Sequence, residues 1–216
     1  MNIKIMIFII FIFCIFKNIC LQDKYGYSSE SDLYEYPKIL NNFITEFEAN
    51  YFIKKAENNL EKSATIGKGK DKYKDRKSNQ YWLSKNDPIG KKLINKIGLP
   101  FENAEDIQIV KYNKGGYYKS HHDSCCDNNK ECRQFNKFSG HRTRTILIWL
   151  NDNFKGGGTE FPNLKKVFYP KKYDALMFYP LDKKNKKCHP YALHGGMNIE
   201  EGEKWIATIW FRQRKF

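Results

Sequence analysis

The 216-residue sequence predicts an α+β protein that is mainly β, with a double-stranded β-helix (jelly-roll) core and supporting N-terminal helices. From about Glu105 onward, short runs rich in β-branched and aromatic residues are separated by Asn, Gly, Asp and Pro, which is the pattern of many short strands. The runs are DIQIVKY, RTILIWL, KVFYP, DALMFY and KWIATIWFR. Many short strands in a chain of this length favour a jelly roll within one compact domain.

Two helices are predicted before the strands. Thr45 begins the segment TEFE, which has the T-x-x-E form of a capping box, so the first helix should start there. Asp87 followed by Pro88 has the form of an N-cap and first helical residue, which predicts the second helix. We therefore expect residues 36–100 to provide helical support and residues 101–216 to form the jelly-roll core.

The first 21 residues differ in composition from the rest of the chain. Lys4 precedes an unbroken apolar run from Ile5 to Phe16, which is short for a membrane span and typical of a signal peptide. The expected order is a signal peptide or signal anchor at 1–21, an extended lead-in at 22–35 and a single domain at 36–216. This leader predicts entry into the secretory pathway, with the endoplasmic reticulum lumen as the location, and membrane attachment only if it is not cleaved.

Four cysteines lie in the body of the chain, at Cys125, Cys126, Cys132 and Cys188. An oxidising compartment favours disulfides between them. Three pairings are open, of which the one that joins Cys125 to Cys126 would be strained. A zinc site in CCDNNKEC is the alternative, although its spacing matches no paired C-x-x-C pattern.

The formal net charge is +14. Its lysines are interleaved with Asn and Asp along the chain, as in GKGKDKYKDRKSN, and they form no basic helix or RNA-reading motif. This distribution favours a solvated lysine-rich surface, and no nucleic-acid partner is expected.

The segment KGGYYKSHHDS contains a candidate metal site. Side chains two apart on a strand point to the same face, so His121 and Asp123 can converge while His122 points away. His194, just before a glycine pair and a strand, is a candidate third ligand. Two imidazoles and one carboxylate suit non-haem Fe(II), and zinc remains an alternative on ligand chemistry alone.

Lys204 supports an anionic cosubstrate. It lies ten residues after His194 at the start of the apolar strand WIATIWF. A lysine should face inward at such a position only if an anion is present, because a buried unpaired ammonium is costly.

The arrangement resembles a known family through several ordered motifs. EDIQIVKYNKGGYYKSHHD carries Y-x-x-G-x-x-Y-x-x-H-x-D, and RTRTILIWLND matches R-x-x-T followed by an apolar strand. GGGTEFP fits G-G-x-T-x-F-P, and HGGMNIEEGEKW fits H-x-G-x-P-V-x-x-G-x-K-W. From about Tyr36 to Arg214 the chain is similar to the prolyl 4-hydroxylase alpha-subunit catalytic domain, which belongs to the Fe(II)- and 2-oxoglutarate-dependent dioxygenases.

The resemblance implies a procollagen-proline 4-dioxygenase-like enzyme that hydroxylates peptidyl proline at C4 while 2-oxoglutarate is decarboxylated to succinate. By position, it implies that Fe(2+) is bound by His121, Asp123 and His194. Lys204 would pair with the C5 carboxylate of 2-oxoglutarate, and Tyr112 and Thr145 would help to hold that carboxylate. L-ascorbate is implied as a further cofactor.

The resemblance also implies partners: a proline-containing peptide or protein substrate, and a disulfide-isomerase-like subunit or a second copy of the chain. The same oxygenase chemistry on another protein side chain or in nucleic-acid demethylation is an alternative function, and a non-catalytic binding scaffold is another. Residues 66–78 match a flexible loop that folds over the peptide in the family, which suggests a lid. Tyr173 and Gly158 stand where the family usually has glycine and glutamate, so substrate preference can differ.

Overall fold

The computed structural model describes residues 26–28, 33–65 and 73–216. The leader at 1–21 lies outside these ranges, as do residues 22–25 and 29–32 of the lead-in and residues 66–72 of the expected lid. Among the described residues, no helix has the length and apolar character needed to cross a membrane.

The described ranges contain three α-helices and thirteen strands. The helices are α1 (Glu46–Ala56), α2 (Pro88–Lys96) and α3 (Lys130–Asn136). The strands are β1 (Lys38–Leu40), β2 (Glu61–Lys62), β3 (Arg76–Lys77), β4 (Asn79–Leu83), β5 (Ile107–Asn113), β6 (Tyr117–His121), β7 (Arg142–Trp149), β8 (Phe154–Gly156), β9 (Thr159–Phe161), β10 (Lys166–Phe168), β11 (Ala175–Phe178), β12 (His194–Gly196) and β13 (Ile199–Arg212).

The strands form two antiparallel sheets. The larger has the order β1-β11-β7-β13-β5-β4-β2, with β8 added against β13, and the smaller has the order β10-β9-β12-β6-β3. Strands that are neighbours in space are mostly distant in sequence, as expected for a jelly roll. The prediction of a mainly β protein with a jelly-roll core is confirmed.

From Lys204 to Arg212, strand β13 is buried on both faces, which explains the largely apolar sequence of this part. Ile209 and Phe211 pack in a cluster with Phe52 of α1 and Leu93 of α2, on the helix side of the large sheet. Ile206 belongs to a second cluster inside the barrel. Because successive side chains point to opposite faces, every second residue of β13 faces the barrel interior.

Both predicted helix starts are confirmed. The Thr45 hydroxyl accepts a hydrogen bond from the Glu48 amide, and the Glu48 carboxylate accepts one from the Thr45 amide, which completes the capping box. The Asp87 carboxylate accepts hydrogen bonds from the amides of Ile89 and Gly90 at the start of α2.

The expected division into helical support at 36–100 and a jelly-roll core at 101–216 is too simple. Residues 36–100 also contribute β1 and β4 to the large sheet, where β1 pairs with β11 and β4 pairs with β5. Conversely, α3 lies within the expected jelly-roll core and had no predicted helical pattern. Its start is stabilised by Asn129, whose side chain accepts a hydrogen bond from the Cys132 amide.

The four cysteines of the body form two disulfides, Cys125–Cys132 and Cys126–Cys188. This resolves the pairing that the sequence left open, and the zinc alternative for CCDNNKEC is wrong. Cys126–Cys188 joins the loop that follows Asp123 to the segment that precedes His194. The bond therefore ties together the two parts of the chain that carry the candidate metal ligands.

A buried ionic cluster closes the end of the large sheet. The Glu105 carboxylate accepts two hydrogen bonds from the Arg142 guanidinium and one from Arg212, each 2.7 Å long. Burial alone would raise the pKa of Glu105, but the two guanidinium groups outweigh it and lower the pKa. One carboxylate thus compensates two buried cations.

We expect Glu105→Gln to destabilise the fold by about 3–5 kcal/mol, because removal of one partner leaves buried charges uncompensated. The free energy of urea unfolding at neutral pH measures this. Glu201→Gln is the matched control, since the Lys155–Glu201 pair is exposed on both sides and should contribute less than about 1 kcal/mol. Equal effects of the two substitutions would contradict a structural role for the cluster.

Candidate metal centre

Three of the predicted ligands converge at the end of the small sheet. His194 of β12 lies directly opposite His121 of β6 in the antiparallel register, and Asp123 follows β6 by two residues. The carboxylate oxygens of Asp123 lie 3.6 Å from His121 Nε2 and 3.8 Å from His194 Nε2. One ligand atom from each residue lies within 4.8 Å of the other two, a spacing that suits a shared metal ion.

Backbone hydrogen bonds orient both imidazoles. His121 Nδ1 lies 2.8 Å from the carbonyl oxygen of Lys119, and His194 Nδ1 lies 3.0 Å from that of Ala192. A carbonyl oxygen only accepts, so each Nδ1 carries the proton and each Nε2 presents a lone pair. Such outer hydrogen bonds are the usual way in which a protein fixes a metal-binding histidine.

The ionisation states also suit a metal site. Burial alone would raise the pKa of Asp123, but His194, His121 and the nearby Arg142 together hold it well below its usual range. Burial lowers the pKa of His194 to about 4, so the ring is neutral at physiological pH. A carboxylate and a neutral imidazole are the forms that bind metal ions.

His122 does not join the cluster. Its ring stacks at an angle on Tyr27, with 5.1 Å between centroids, and it forms part of the wall of the adjacent cavity. Its Nδ1 is buried and has no hydrogen-bond partner among the described residues. The candidate ligand set is therefore His121 with Asp123 and His194, and His122 lines the wall of the cavity.

Lys204 is buried in the same cavity, with 3% of its surface exposed. Its Nζ donates a hydrogen bond of 2.5 Å to the Gly157 carbonyl and lies 4.9 Å from the centre of the Trp149 ring. No carboxylate among the described residues forms an ion pair with it, and burial lowers its pKa to about 7. When protonated, the lysine is thus a buried cation without a carboxylate partner in the part of the chain that the structure describes.

Gly157 makes room for this lysine. Its φ of +65° is a conformation that glycine adopts readily, and a Cβ there would collide with Ile199 Cδ1 and lie 3.3 Å from Lys204 Cδ. The absence of a side chain therefore allows the carbonyl of residue 157 to approach the ammonium group.

Tyr112 and Thr145, which the resemblance implies at the 2-oxoglutarate carboxylate, both line the cavity. Tyr112 is the direct cross-strand neighbour of Lys204. The Thr145 hydroxyl donates a 2.6 Å hydrogen bond to Asp123 Oδ2. This contact gives Thr145 a further candidate role, the support of a metal ligand, and the role of both residues at the carboxylate stays a prediction.

The cavity that joins these groups has a volume of about 300 Å³. His121, Asp123 and His194 line one part of it, Lys204 and Tyr112 another, and Trp82 and Trp210 a third. A metal ion, a small dicarboxylate and part of a larger substrate would thus share one space.

Comparison with known proteins agrees with this geometry. Residues 107–212 match the 2OG-Fe(II) oxygenase superfamily. A candidate prolyl 4-hydroxylase of Acanthamoeba polyphaga mimivirus is 45% identical over 204 residues, which cover 93% of this chain and 84% of that protein. The chain belongs to the prolyl 4-hydroxylase family. Prolyl 4-hydroxylase 2 of Arabidopsis thaliana is 32% identical over 207 residues, covering 82% of this chain and 67% of that protein.

A solved structure of a relative supports the same assignment. The viral collagen prolyl hydroxylase of Paramecium Bursaria Chlorella virus-1, in complex with 2-oxoglutarate, is 26% identical and superimposes with a TM-score of 0.64. The match covers 82% of this chain and 96% of that one. The resemblance inferred from the motifs is confirmed, and this prolyl 4-hydroxylase family member is an Fe(II)- and 2-oxoglutarate-dependent dioxygenase.

The residues present fit both groups that the family uses. Two imidazoles and one carboxylate form the donor set that Fe(II) oxygenases use, and they leave coordination positions open. The buried ammonium of Lys204 is the feature that fits 2-oxoglutarate, because a carboxylate there would supply the anion that the described residues do not.

Three further residues contribute to the site, although the sequence assigned none of them a role there. Trp149 lies beneath Lys204, and Arg76 is buried over the Tyr118 ring at 4.6 Å. Glu105 anchors Arg142. Trp149 stands where prolyl 4-hydroxylases usually have tyrosine, which is a sequence signal, whereas Glu105 begins the segment EDIQIVKY without any pattern that predicts its contact.

We expect Thr145→Val to weaken Fe(II) binding about tenfold or more, because loss of an outer hydrogen bond leaves the Asp123 carboxylate less well oriented. Anaerobic titration with Fe(II) measures this, and Thr145→Ser, which keeps the hydroxyl, should restore most of the affinity. Unchanged Fe(II) affinity together with a raised KM for 2-oxoglutarate would instead support the role that the sequence predicted.

Proposed function

We propose that this chain is a peptidyl-proline 4-hydroxylase that acts on proline-rich protein substrates. The observation that carries the proposal is the presence of His121, Asp123 and His194 in one cavity with an unpaired Lys204. The chemistry that Fe(II) and 2-oxoglutarate supply when bound is activation of O₂, with oxidation of 2-oxoglutarate to succinate and CO₂ coupled to hydroxylation of the substrate C–H bond.

Each residue of the centre has a defined task in this reaction. His121 and His194 present Nε2 to the metal because their Nδ1 protons are held by backbone carbonyls. Asp123 supplies a carboxylate that Thr145 orients. Lys204 would pair with the far carboxylate of 2-oxoglutarate and so orient that molecule in the cavity.

The walls of the cavity exclude bulk water. Phe178 and Trp149 are almost fully buried, and Phe161 packs edge-on against Phe178. Phe178 also lies 4.5 Å from the His194 ring. An apolar wall next to the metal strengthens electrostatic interactions within the site and limits side reactions with water.

The two disulfides support an oxidising location for the protein, in the endoplasmic reticulum lumen or elsewhere in the secretory pathway. The signal-like leader, outside the described residues, agrees with this location. L-ascorbate as a reductant of the metal, and a disulfide-isomerase-like partner or a second copy of the chain, stay predictions from the family resemblance.

The affinity for 2-oxoglutarate should fall as pH rises above 7. Lys204 has a pKa of about 7 in the absence of ligand, and only its protonated form attracts a carboxylate. By linkage, binding should be roughly fivefold weaker at pH 8 than at pH 7. Equilibrium binding of 2-oxoglutarate to the metal-loaded protein between pH 6.5 and 8.5 tests this.

Lys204→Arg is the matched variant for this measurement, since its guanidinium stays charged throughout the range. Its affinity for 2-oxoglutarate should not vary with pH, whatever its absolute value. If the affinity of the native protein for 2-oxoglutarate does not change between pH 6.5 and 8.5, the Lys204 ammonium does not titrate in that range.

The activity itself is tested with the purified protein, Fe(II), 2-oxoglutarate, ascorbate and a panel of proline-rich peptides. Succinate is quantified, and the added oxygen is located by mass spectrometry. We expect succinate and a peptidyl 4-hydroxyproline in equal amounts. His121→Ala should reduce turnover at least about a thousandfold because a metal ligand is lost, whereas His122→Phe should retain most activity.

Two results would contradict the proposal in different ways. If succinate forms but none of the peptides gains oxygen, the oxygenase acts on another substrate. If the protein contains bound iron but forms neither succinate nor hydroxylated peptide, the proposal that it is an enzyme is refuted.

A further inference from the structure

Residues 26–28 form a strap across the Cys126–Cys188 disulfide. The Gly26 amide donates a 2.8 Å hydrogen bond to the Cys126 carbonyl, and the Ser28 amide donates one of 2.8 Å to the Cys188 carbonyl. The Cys188 amide in turn donates one of 3.1 Å to the Gly26 carbonyl. Gly26 has a φ of +115°, which glycine adopts readily, so the sequence allows the chain to turn into the strap there. Because the disulfide joins the two cysteines, it also holds the partners of the strap in place.

The strap places the Tyr27 ring against His122. The two ring centroids are 5.1 Å apart, and the ring planes are inclined by 56°. The Tyr27 hydroxyl donates a 3.4 Å hydrogen bond to Asp127 Oδ1, and 45% of the residue stays exposed. His122 lines the cavity and Tyr27 does not, so the tyrosine packs behind the cavity wall.

The segment that carries Asp123 lies outside the two sheets. Strand β6 ends at His121, so residues 122–124 depend on side-chain contacts for their position. Asp123 accepts a hydrogen bond from the Thr145 hydroxyl. The Ser124 hydroxyl donates one of 2.7 Å to a carbonyl of β7. Two of the three side chains in this segment are thus anchored by hydrogen bonds.

The third side chain, that of His122, is held by ring packing. Its Nδ1 is buried and has no hydrogen-bond partner in the described part of the chain. The inclined contact with the Tyr27 ring takes the place of such a bond. Since His122 is joined to His121 by one peptide bond and to Asp123 by the next, a change in its position would move both candidate ligands.

On this basis we propose that Tyr27 is a positioning residue for the metal centre. The strap holds the Tyr27 ring against His122, and His122 in turn fixes the segment that presents His121 and Asp123 to the metal ion. The inference rests on the metal centre of the proposed function. It gives the segment predicted as an extended lead-in a part in that centre.

Physical chemistry supports such a role. A ligand that is already in position loses little conformational entropy when the ion binds, so groups that orient ligands raise metal affinity. A pair of aromatic rings stabilises its geometry beyond the effect of the buried area alone. The contact between Tyr27 and His122 can therefore hold a peptide segment that the sheets do not.

Anaerobic titration of the full chain with Fe(II), without substrate, tests the proposal independently of turnover. Tyr27→Ala should weaken Fe(II) binding about tenfold, which is the lower end of the effect expected for a residue that orients metal ligands. Tyr27→Phe keeps the ring and loses only the exposed bond to Asp127, so it should retain most of the affinity. Co(II) in place of Fe(II) should show absorption bands changed by Tyr27→Ala but not by Tyr27→Phe, because these bands report coordination geometry.

A double-mutant cycle shows whether Tyr27 acts through His122. His122→Ala removes the ring that Tyr27 contacts, so it should weaken Fe(II) binding by about as much as Tyr27→Ala does. In the His122→Ala protein, the further change Tyr27→Ala should have no additional effect. His122→Phe keeps a ring against Tyr27 and should retain most of the affinity.

Tyr36→Ala is the matched control. Tyr36 is a nearby tyrosine with 54% of its surface exposed, and it contacts the Tyr34 ring but not the cavity. Its removal should leave the Fe(II) affinity unchanged. Melting of the metal-free Tyr27→Ala protein should occur close to the native temperature, because the backbone hydrogen bonds of the strap remain. The rise in melting temperature on addition of Fe(II) should be smaller than in the native protein.

The outcomes separate this inference from the proposed function. If Tyr27→Ala leaves the Fe(II) affinity unchanged, or weakens it equally in the native and His122→Ala proteins, the inference is refuted. If Tyr27 and His122 are coupled in Fe(II) binding but no peptide is hydroxylated, the inference stands and the proposed function fails. If the native protein binds no Fe(II), both are refuted.

Discussion

The pairing of β6 with β12 is the constraint on which the active centre depends. The antiparallel register sets His194 opposite His121, and the chain that leaves β6 carries Asp123 back toward both rings within two residues. A slip of one residue would turn one histidine to the other face of the sheet. The metal centre is thus a consequence of sheet register, and the many hydrogen bonds of the two sheets all contribute to its geometry.

The interior of the barrel has two electrostatically different parts, one suited to a cation and the other to an anion. At one end, a carboxylate with a lowered pKa and the neutral imidazole of His194 are suited to a cation. Farther along, an ammonium with a lowered pKa is ready for an anion. The low polarity of the interior strengthens the preference for a cation and the preference for an anion, because an unpaired charge is costly in apolar surroundings. The same cavity therefore has one part suited to a metal ion and another suited to a carboxylate.

The sequence was sufficient for the fold class, both N-terminal helices and the convergence of His121, Asp123 and His194, because each depends on local pattern or fixed spacing. The pairing of cysteines and the contact of Thr145 with Asp123 were not accessible in this way, since they depend on which distant segments meet. The helix α3 is short, and its cap at Asn129 lies in a segment without apolar periodicity.

The Cys126–Cys188 disulfide affects how the centre binds a metal ion. It joins the loop after Asp123 to the segment before His194, so the two halves of the ligand set are covalently connected before any ion arrives. Little chain entropy then remains to be lost when the ion is captured. The disulfide thus makes the centre a rigid receptor, in which selectivity between metal ions follows from a fixed geometry and not from a loop that adjusts to each ion.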